Sequence, residues 1–193
     1  MGARSDRKSR SREKILESAG VLMREKGISG ASVANVMGGA GMTVGGFYAH
    51  FPSKDELVAE TLRAALRESR GRLSAAAGEK RGADWIDAVA RSYLSRAHRD
   101  VPHAGCPLPA TMGELAGACT GVREVLAEEL DSTVEEMESR LRDEGAEDPR
   151  GEAMAALATM VGGLALARAS RGTPLSDEML KACRAHIARC SRG

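Results

Sequence analysis

Apolar residues recur at helical spacing along most of the chain, and β-branched runs are almost absent, so the pattern predicts an all-α protein. Ile15, Leu16, Ala19, Leu22 and Met23 line one face of a first helix that Gly27 stops. A short second helix is expected after Ser32, whose hydroxyl suits an N-cap, running through Val33 and Val36 to Met37 until Gly38-Gly39-Ala40-Gly41 breaks it. A third starts at Thr43, another good N-cap, and ends before Pro52. Ser53 opens a fourth, with Glu56 completing a capping box and Leu57, Val58, Thr61, Leu62, Ala65 and Leu66 on one face. Five more helices are expected at about 84–99, 107–117, 120–144, 150–171 and 176–191. Their inward residues include Trp85, Ile86, Val89, Tyr93 and Leu94 in the first, and Val122, Leu126, Leu130, Val134, Met137 and Leu141 in the third. That makes nine.

At 193 residues, the chain can bury a substantial core. Its net charge of +1 conceals an asymmetry: residues 1–54 hold nine Lys/Arg against four Asp/Glu, and the remainder is acidic. A basic first quarter on a mildly acidic body points to a polyanion-binding end, although short basic tails also serve solubility alone. Residues 1–9 are polar and basic and read as a mobile arm. The opening residues lack the apolar stretch of a secretory signal, and the longest uncharged apolar run, Ala153–Ala167, falls short of the roughly 18 residues of a membrane span. Cys106, Cys119, Cys183 and Cys190 do not form a disulfide framework, which fits a reducing cytoplasm and no membrane partner.

The three elements between Lys14 and Phe51 have helix-turn-helix dimensions: a supporting helix, a tight glycine-containing turn and a helix of two turns or less. Gly45 and Gly46 cost that last helix about 1 kcal/mol each against alanine. They suit either close approach by a DNA backbone or tight packing on the first helix. Tyr48, His50 and Lys54 offer donors and a cation for phosphates, His50 serving equally as a helix cap. Phe47 and Phe51, the two phenylalanines of the chain, read as anchors seating this helix.

The stretch Thr43-Val-Gly-Gly-Phe-Tyr-Ala-His-Phe-Pro-Ser-Lys-Asp-Glu-Leu57, with Gly27 and Ser32-Val33-Ala34-Asn35-Val36 before it, resembles the signature of the TetR family of transcriptional regulators across about residues 10–60. The resemblance implies a nine-helix fold, with a three-helix DNA-binding domain over 10–56 and a ligand-binding and dimerisation domain over 57–193. It implies a homodimer that binds an operator and is commonly a repressor. Position by position, Met42, Thr43, Val44 and Gly45 fall where the family presents its recognition helix to bases and nearby phosphates. Tyr48, His50 and Lys54 match its usual phosphate contacts, and Ser32 a backbone contact. Val44 stands where family members are often polar, so base reading there is expected to rest on thymine methyl groups.

Ala155–Leu166 is too apolar for an ordinary surface helix, and Ala158, Gly162 and Ala165 let another helix approach closely. With the last helix, it suits an isologous four-helix interface over about 150–191, which would place two recognition helices about one DNA turn apart on an approximately palindromic operator. The family binds inducers among its middle helices. Trp85, Val89, Tyr93, Met112, Leu115 and Met160 are candidate pocket linings, with plain core packing as the other reading, and few inward charges favour a small apolar or amphipathic inducer. His103-Ala-Gly-Cys106-Pro107-Leu108 places a thiol at a helix N-terminus, where the dipole favours thiolate, and His103 adds to this. A similar segment heads the sixth helix of some TetR-like repressors that sense electrophiles or oxidants, which makes Cys106 a candidate switch; a capping or pocket-lining cysteine is the other reading.

No phosphate loop, dinucleotide glycine pattern, His-Glu-x-x-His or nucleophile elbow is present, which argues against an enzyme, and neither a cofactor nor a metal is expected. The pairs Glu128-Glu129 and Glu135-Glu136 read as solvated charge on an amphipathic helix.

Overall fold

The computed structural model describes residues 2–142 and 146–191. Among them are nine α-helices: α1 (Gly2–Gly30), α2 (Val33–Gly39), α3 (Lys54–Ala77), α4 (Gly82–Tyr93), α5 (Arg96–Asp100), α6 (Leu108–Leu115), α7 (Thr120–Arg142), α8 (Pro149–Ala169) and α9 (Pro174–Cys190). Two 3-10 segments, Val44–Ala49 and Pro102–Ala104, join them, and no strand occurs among the described residues. The all-α fold is as expected, but the nine are partitioned differently. The helix expected from Thr43 is a 3-10 segment, and the one expected over 84–99 is two. Leu94 leaves helical geometry at φ −89°, ψ 38°, and Ser95 caps α5 by accepting from the His98 amide at 3.1 Å. The expected end of α7 at 144 lies outside the described residues.

The residues expected as an arm are helical from Gly2. Polarity alone does not unwind a helix: arginine and lysine are good helix formers, and no glycine or proline interrupts residues 3–19. Ser9 donates to the Glu13 carboxylate at 3.1 Å and Arg10 Nε to the Asp6 carbonyl at 3.2 Å, one turn apart in each case. Gly27 interrupts α1 as expected, at φ +73°, ψ −174°, and a last turn follows to Gly30.

The chain divides into two compact units, one up to Leu66 together with His103–Ala127, the other Arg67–Pro102 together with the residues from Glu128 on. In the first, Ile15, Ala19 and Met23 of α1 meet Val36 and Met37 of α2, Phe47, Phe51, and Leu57 and Leu62 of α3 in a closed core. The two phenylalanine rings stack at 5.8 Å, and each buried ring is worth about 1.5–3 kcal/mol. Arg12 of α1 lies 4.7 Å over the Phe51 ring and pairs with Glu60 of α3, pinning α1 across the phenylalanine pair. Helix α6 packs on α1 in this unit.

The second unit is built on α8 packed against α9, with α4 against both and α5 against α8. Gly163 permits a close approach to α9: a Cβ there would stand 2.6 Å from the Cys183 sulfur. Inside this unit Glu129 is not solvated charge. It is 2% exposed and accepts from Arg67 Nε at 2.8 Å and Arg70 Nη1 at 3.3 Å. Helix α8 is long and apolar enough, by length and composition alone, to cross a membrane; a third of its most apolar window is buried within the fold.

Candidate nucleic-acid interface

The segment from Ala31 to Lys54 is held by a continuous set of local bonds. Ser32, in extended geometry, accepts from the Asn35 amide at 3.2 Å and caps α2 as its position predicts. The Asn35 side chain donates back to the Gly30 carbonyl at 2.9 Å, and Ser18 of α1 donates to the Val36 carbonyl at 2.9 Å. The turn after α2 needs glycine once, at Gly41 (φ +68°), and closes with the Met42 amide on the Met37 carbonyl at 2.8 Å. Thr43 is extended as an N-cap should be, but its hydroxyl makes no capping bond; only its carbonyl accepts, from Gly46, at 3.0 Å. The six residues that follow, two of them glycine, wind as a tight 3-10 helix without a side-chain cap.

This short helix is sharply two-faced. Phe47 is buried with Phe51, while Val44 is 50% and Tyr48 74% exposed, with Thr43 and Gly45 exposed beside them. A Cβ on Gly45 would meet nothing within 4 Å, and one on Gly46 only the Met37 methyl at 3.7 Å. Packing on the first helix therefore does not explain either glycine. The bareness faces outward at Gly45. His50 is half-buried; its backbone closes the 3-10 helix on the Phe47 carbonyl at 2.9 Å, and its Nδ1 is buried without a hydrogen-bond partner. Lys54 begins α3, whose Ser53 cap accepts from the Glu56 amide at 3.1 Å. All eight residues expected to meet DNA lie in the first unit, on the α2 cap, the turn, the 3-10 helix and the start of α3.

The eight expected ligand or sensor residues divide between the units. Trp85, Val89, Tyr93 and Met160 are buried in the second; His103, Cys106, Met112 and Leu115 belong to the first, where Cys106 and Leu115 are buried and His103 and Met112 exposed. The N-cap of α6 is Pro107, so Cys106 lies one residue ahead of the cap, and it is only 4% exposed. His103 stands 3.7 Å from the Glu25 carboxylate. Few inward charges were expected, yet the second unit carries a polar interior around His98. Burial drives its pKa down to about 4 against the bond Nδ1 donates to the Tyr93 carbonyl at 2.7 Å, and Arg168 and Arg72 lower it further. Arg168 in turn donates to the His98 carbonyl at 2.9 Å, and the Trp85 indole nitrogen is buried without a hydrogen-bond partner.

Sequence reasoning also missed Glu114 of α6. Its carboxylate accepts from the Ile28 and Ser29 amides at 2.7 Å each and from the Ser29 hydroxyl, capping the last turn of α1 beyond Gly27. Burial pushes this carboxyl up, but the bonds from Ser29 and Ile28 and the charge of Lys54 outweigh it and hold it below its ordinary value. The clamp is thus complete above the usual carboxylate range and is lost only as pH falls beneath it. Gly27 and Glu114 lie far apart in sequence, and no spacing announces their proximity.

A buried three-helix core presenting a short, bare, aromatic-bearing helix defines a helix-turn-helix protein of all-α build. Residues 15–61 match the model of the bacterial regulatory proteins of the tetR family. Over those residues the chain carries that family's DNA-binding segment. It is 40% identical over 55 residues to the HTH-type transcriptional repressor KstR2 of Mycobacterium tuberculosis, a match spanning 28% of each protein. Whole-fold likeness reaches further. A TetR-family regulator from Cytophaga hutchinsonii superposes with a TM-score of 0.81 at 20% identity over 97% of this chain and 98% of that one. Escherichia coli NemR in its reduced form gives 0.79 at 21% identity over 92% and 94%. At these identities the likeness concerns the fold.

Proposed function

We propose that the chain is a transcriptional repressor that binds an approximately palindromic duplex operator as a homodimer and is released by a small-molecule inducer. The observation that carries this is the exposed 3-10 helix, whose Val44, Gly45 and Tyr48 face solvent over a buried Phe47. Met42, Thr43, Val44 and Gly45 enter the major groove, Val44 against a thymine methyl. Tyr48, His50 and Lys54 grip phosphates, and Ser32 adds a backbone contact at the start of α2. Residues 10–56 read DNA, 57–193 bind the inducer and pair, and the protein works in the cytoplasm by binding rather than by turnover. Selection of sites from random duplex DNA tests the reading. Enrichment of a two-fold symmetric sequence is expected, with affinity falling steeply as salt rises. A pool that stays random would overturn it.

Pairing through α8 and α9 is supported by an apolar stripe left in solvent on α8: Met154, Ala155, Ala158, Gly162, Leu166 and Ala169, with Met154 49% and Leu166 56% exposed. A Cβ on Gly162 would meet nothing within 4 Å, so the small residue leaves room for a second chain. Leu166→Glu should convert the dimer to monomers in gel filtration.

The second reading is a redox- or electrophile-sensing repressor switched through Cys106. It is favoured by position: the neighbouring Gly105 carbonyl accepts from the buried Arg24 Nε of α1 at 2.8 Å, so an adduct on Cys106 would bear on α1. Cys106→Ser should abolish release of DNA by electrophiles, and an unchanged response would remove this reading.

A further inference from the structure

Helix α9 carries chemistry that the DNA-binding reading does not use. His186 and Cys190 fall at i and i+4, neighbours on one helix face, and both are exposed. The Cys190 sulfur lies 3.7 Å from His186 Nε2 and 3.9 Å from Nδ1. At zinc bond lengths of about 2.3 Å to sulfur and about 2.0–2.1 Å to nitrogen, two tetrahedral ligands stand about 3.6 Å apart. The pair therefore already has the edge length of a tetrahedral sulfur–nitrogen site, and rotation of the exposed ring turns a nitrogen toward a shared ion. Cys183, earlier on the same stripe, is no such ligand: it is half-buried against Gly163, and burial pushes its thiol up, away from thiolate.

Two ligands do not close a metal site, and among the described residues of one chain no group of three His, Cys, Asp or Glu side chains gathers to hold an ion. The surroundings of the pair say where the rest would come from. His186 and Cys190 share a groove with Ala155, Ala156 and Thr159 of α8. Ala155 belongs to the exposed apolar stripe that pairing through α8 and α9 would cover. Ala182, one turn before His186, is exposed and small, so nothing bulky holds a second helix away there. A two-fold interface presents every group twice. Two chains bring two sulfurs and two nitrogens, the donor set of a closed tetrahedral zinc site.

We propose that His186 and Cys190 are half of a metal site that a second copy of the chain completes, holding one zinc-class divalent cation per dimer. The proposal rests on pairing through α8 and α9. Each Cys190 releases its thiol proton to solvent as its sulfur binds, and each His186 binds as neutral imidazole, so the dication displaces two protons. The ion ties the two α9 helices together and couples the strength of the dimer to metal supply.

The test uses the full chain, stripped with chelator and titrated with Zn2+, and with Co2+ as a spectroscopic probe. One ion per two chains is expected, with the visible absorption of tetrahedral, thiolate-bound Co2+. At free Zn2+ about 100 times its Kd, the dimer dissociation constant in analytical ultracentrifugation should fall about 100-fold. Cys190→Ser and His186→Gln should each lose the ion and this response, while still pairing at higher protein concentration. Leu166→Glu keeps both ligands but not the partner, and should lose the ion too. No bound ion, zinc held with unchanged affinity by Cys190→Ser and His186→Gln, or zinc retained by a monomeric Leu166→Glu chain would overturn the shared site with pairing intact. A wild-type chain that stays monomeric with and without zinc would overturn the pairing reading, and the site with it.

Discussion

Replacing Gly27 by alanine probes how α6 is fastened to α1. At φ +73°, ψ −174° the residue occupies a region open almost only to glycine, and forcing a side chain there costs about 1–3 kcal/mol. The new Cβ would collide with Glu114 Oε1 and stand 3.1 Å from the Ala110 carbonyl, so the carboxylate has to swing away. That breaks its bonds to the Ile28 and Ser29 amides. These groups lie near the surface, where water replaces the carboxylate, so their loss adds about 1–2 kcal/mol. Gly27→Ala is expected to cost about 2–5 kcal/mol in all, and Glu114→Ala alone about 1–2. The double variant should fall short of the sum by about 1–2 kcal/mol, because the clamp can be broken only once. Urea unfolding at one fixed protein concentration, followed by circular dichroism, measures all three. Additivity within about 0.5 kcal/mol would refute the idea that Gly27 makes room for Glu114.

Tyr48→Phe removes a hydroxyl from a side chain that solvent surrounds, so it should weaken DNA binding while changing the unfolding free energy in urea by less than about 0.5 kcal/mol. Lys54→Gln should likewise cut affinity across all sequences and lower the salt slope by about 0.9 per subunit. His98, with a pKa of about 4 in the fold against an ordinary 6.5, stays neutral where the unfolded chain takes up a proton. Its contribution is therefore fully present above about pH 6.5 and is lost as pH falls toward 4; His98→Asn should flatten that part of a stability–pH curve, and an unaltered slope would contradict the burial. Glu129→Ala strands Arg67 and Arg70 beside an emptied site, and since both arginines reach solvent the loss should be about 1–3 kcal/mol in urea, below the range for a fully buried pair.

What the chain announced and what it concealed follow from the range of the interactions. Caps are local, so Ser32 and Ser53 could be read from their neighbours and both make the bonds expected. Helical faces are nearly as local: Leu57, Val58, Thr61, Leu62, Ala65 and Leu66 are all buried as their spacing requires. The boundary at Leu94 was missed because tertiary packing ends α4 there without a glycine or proline, although Ser95 carried a legible cap signal. Glu129 was misread because a pattern of charges cannot say which one a partner helix will cover. Its burial depends on two arginines about 60 residues earlier. In the reading head the positions were legible, and the 3-10 winding was not: Thr43 reads as a capping residue, yet its hydroxyl makes no cap bond.

The links that sequence could not show are also those that tie the reading head to its support. Along α1, Arg24 reaches the Gly105 carbonyl, Glu25 faces His103, Gly27 leaves space beside Ala110, and Ile28 and Ser29 are held by Glu114. One stretch, from His103 through α6, therefore grips the final two turns of α1. From the end of α1 the Gly30 carbonyl accepts from Asn35, and from its middle Ser18 donates to the Val36 carbonyl, so α2 is bonded to the same helix at two points. Helix α6 and α2 are thus both joined to α1 by directional bonds, and not only by side-chain packing. That is why Gly27 matters more than its size suggests: with any other residue there, the grip opens at its centre.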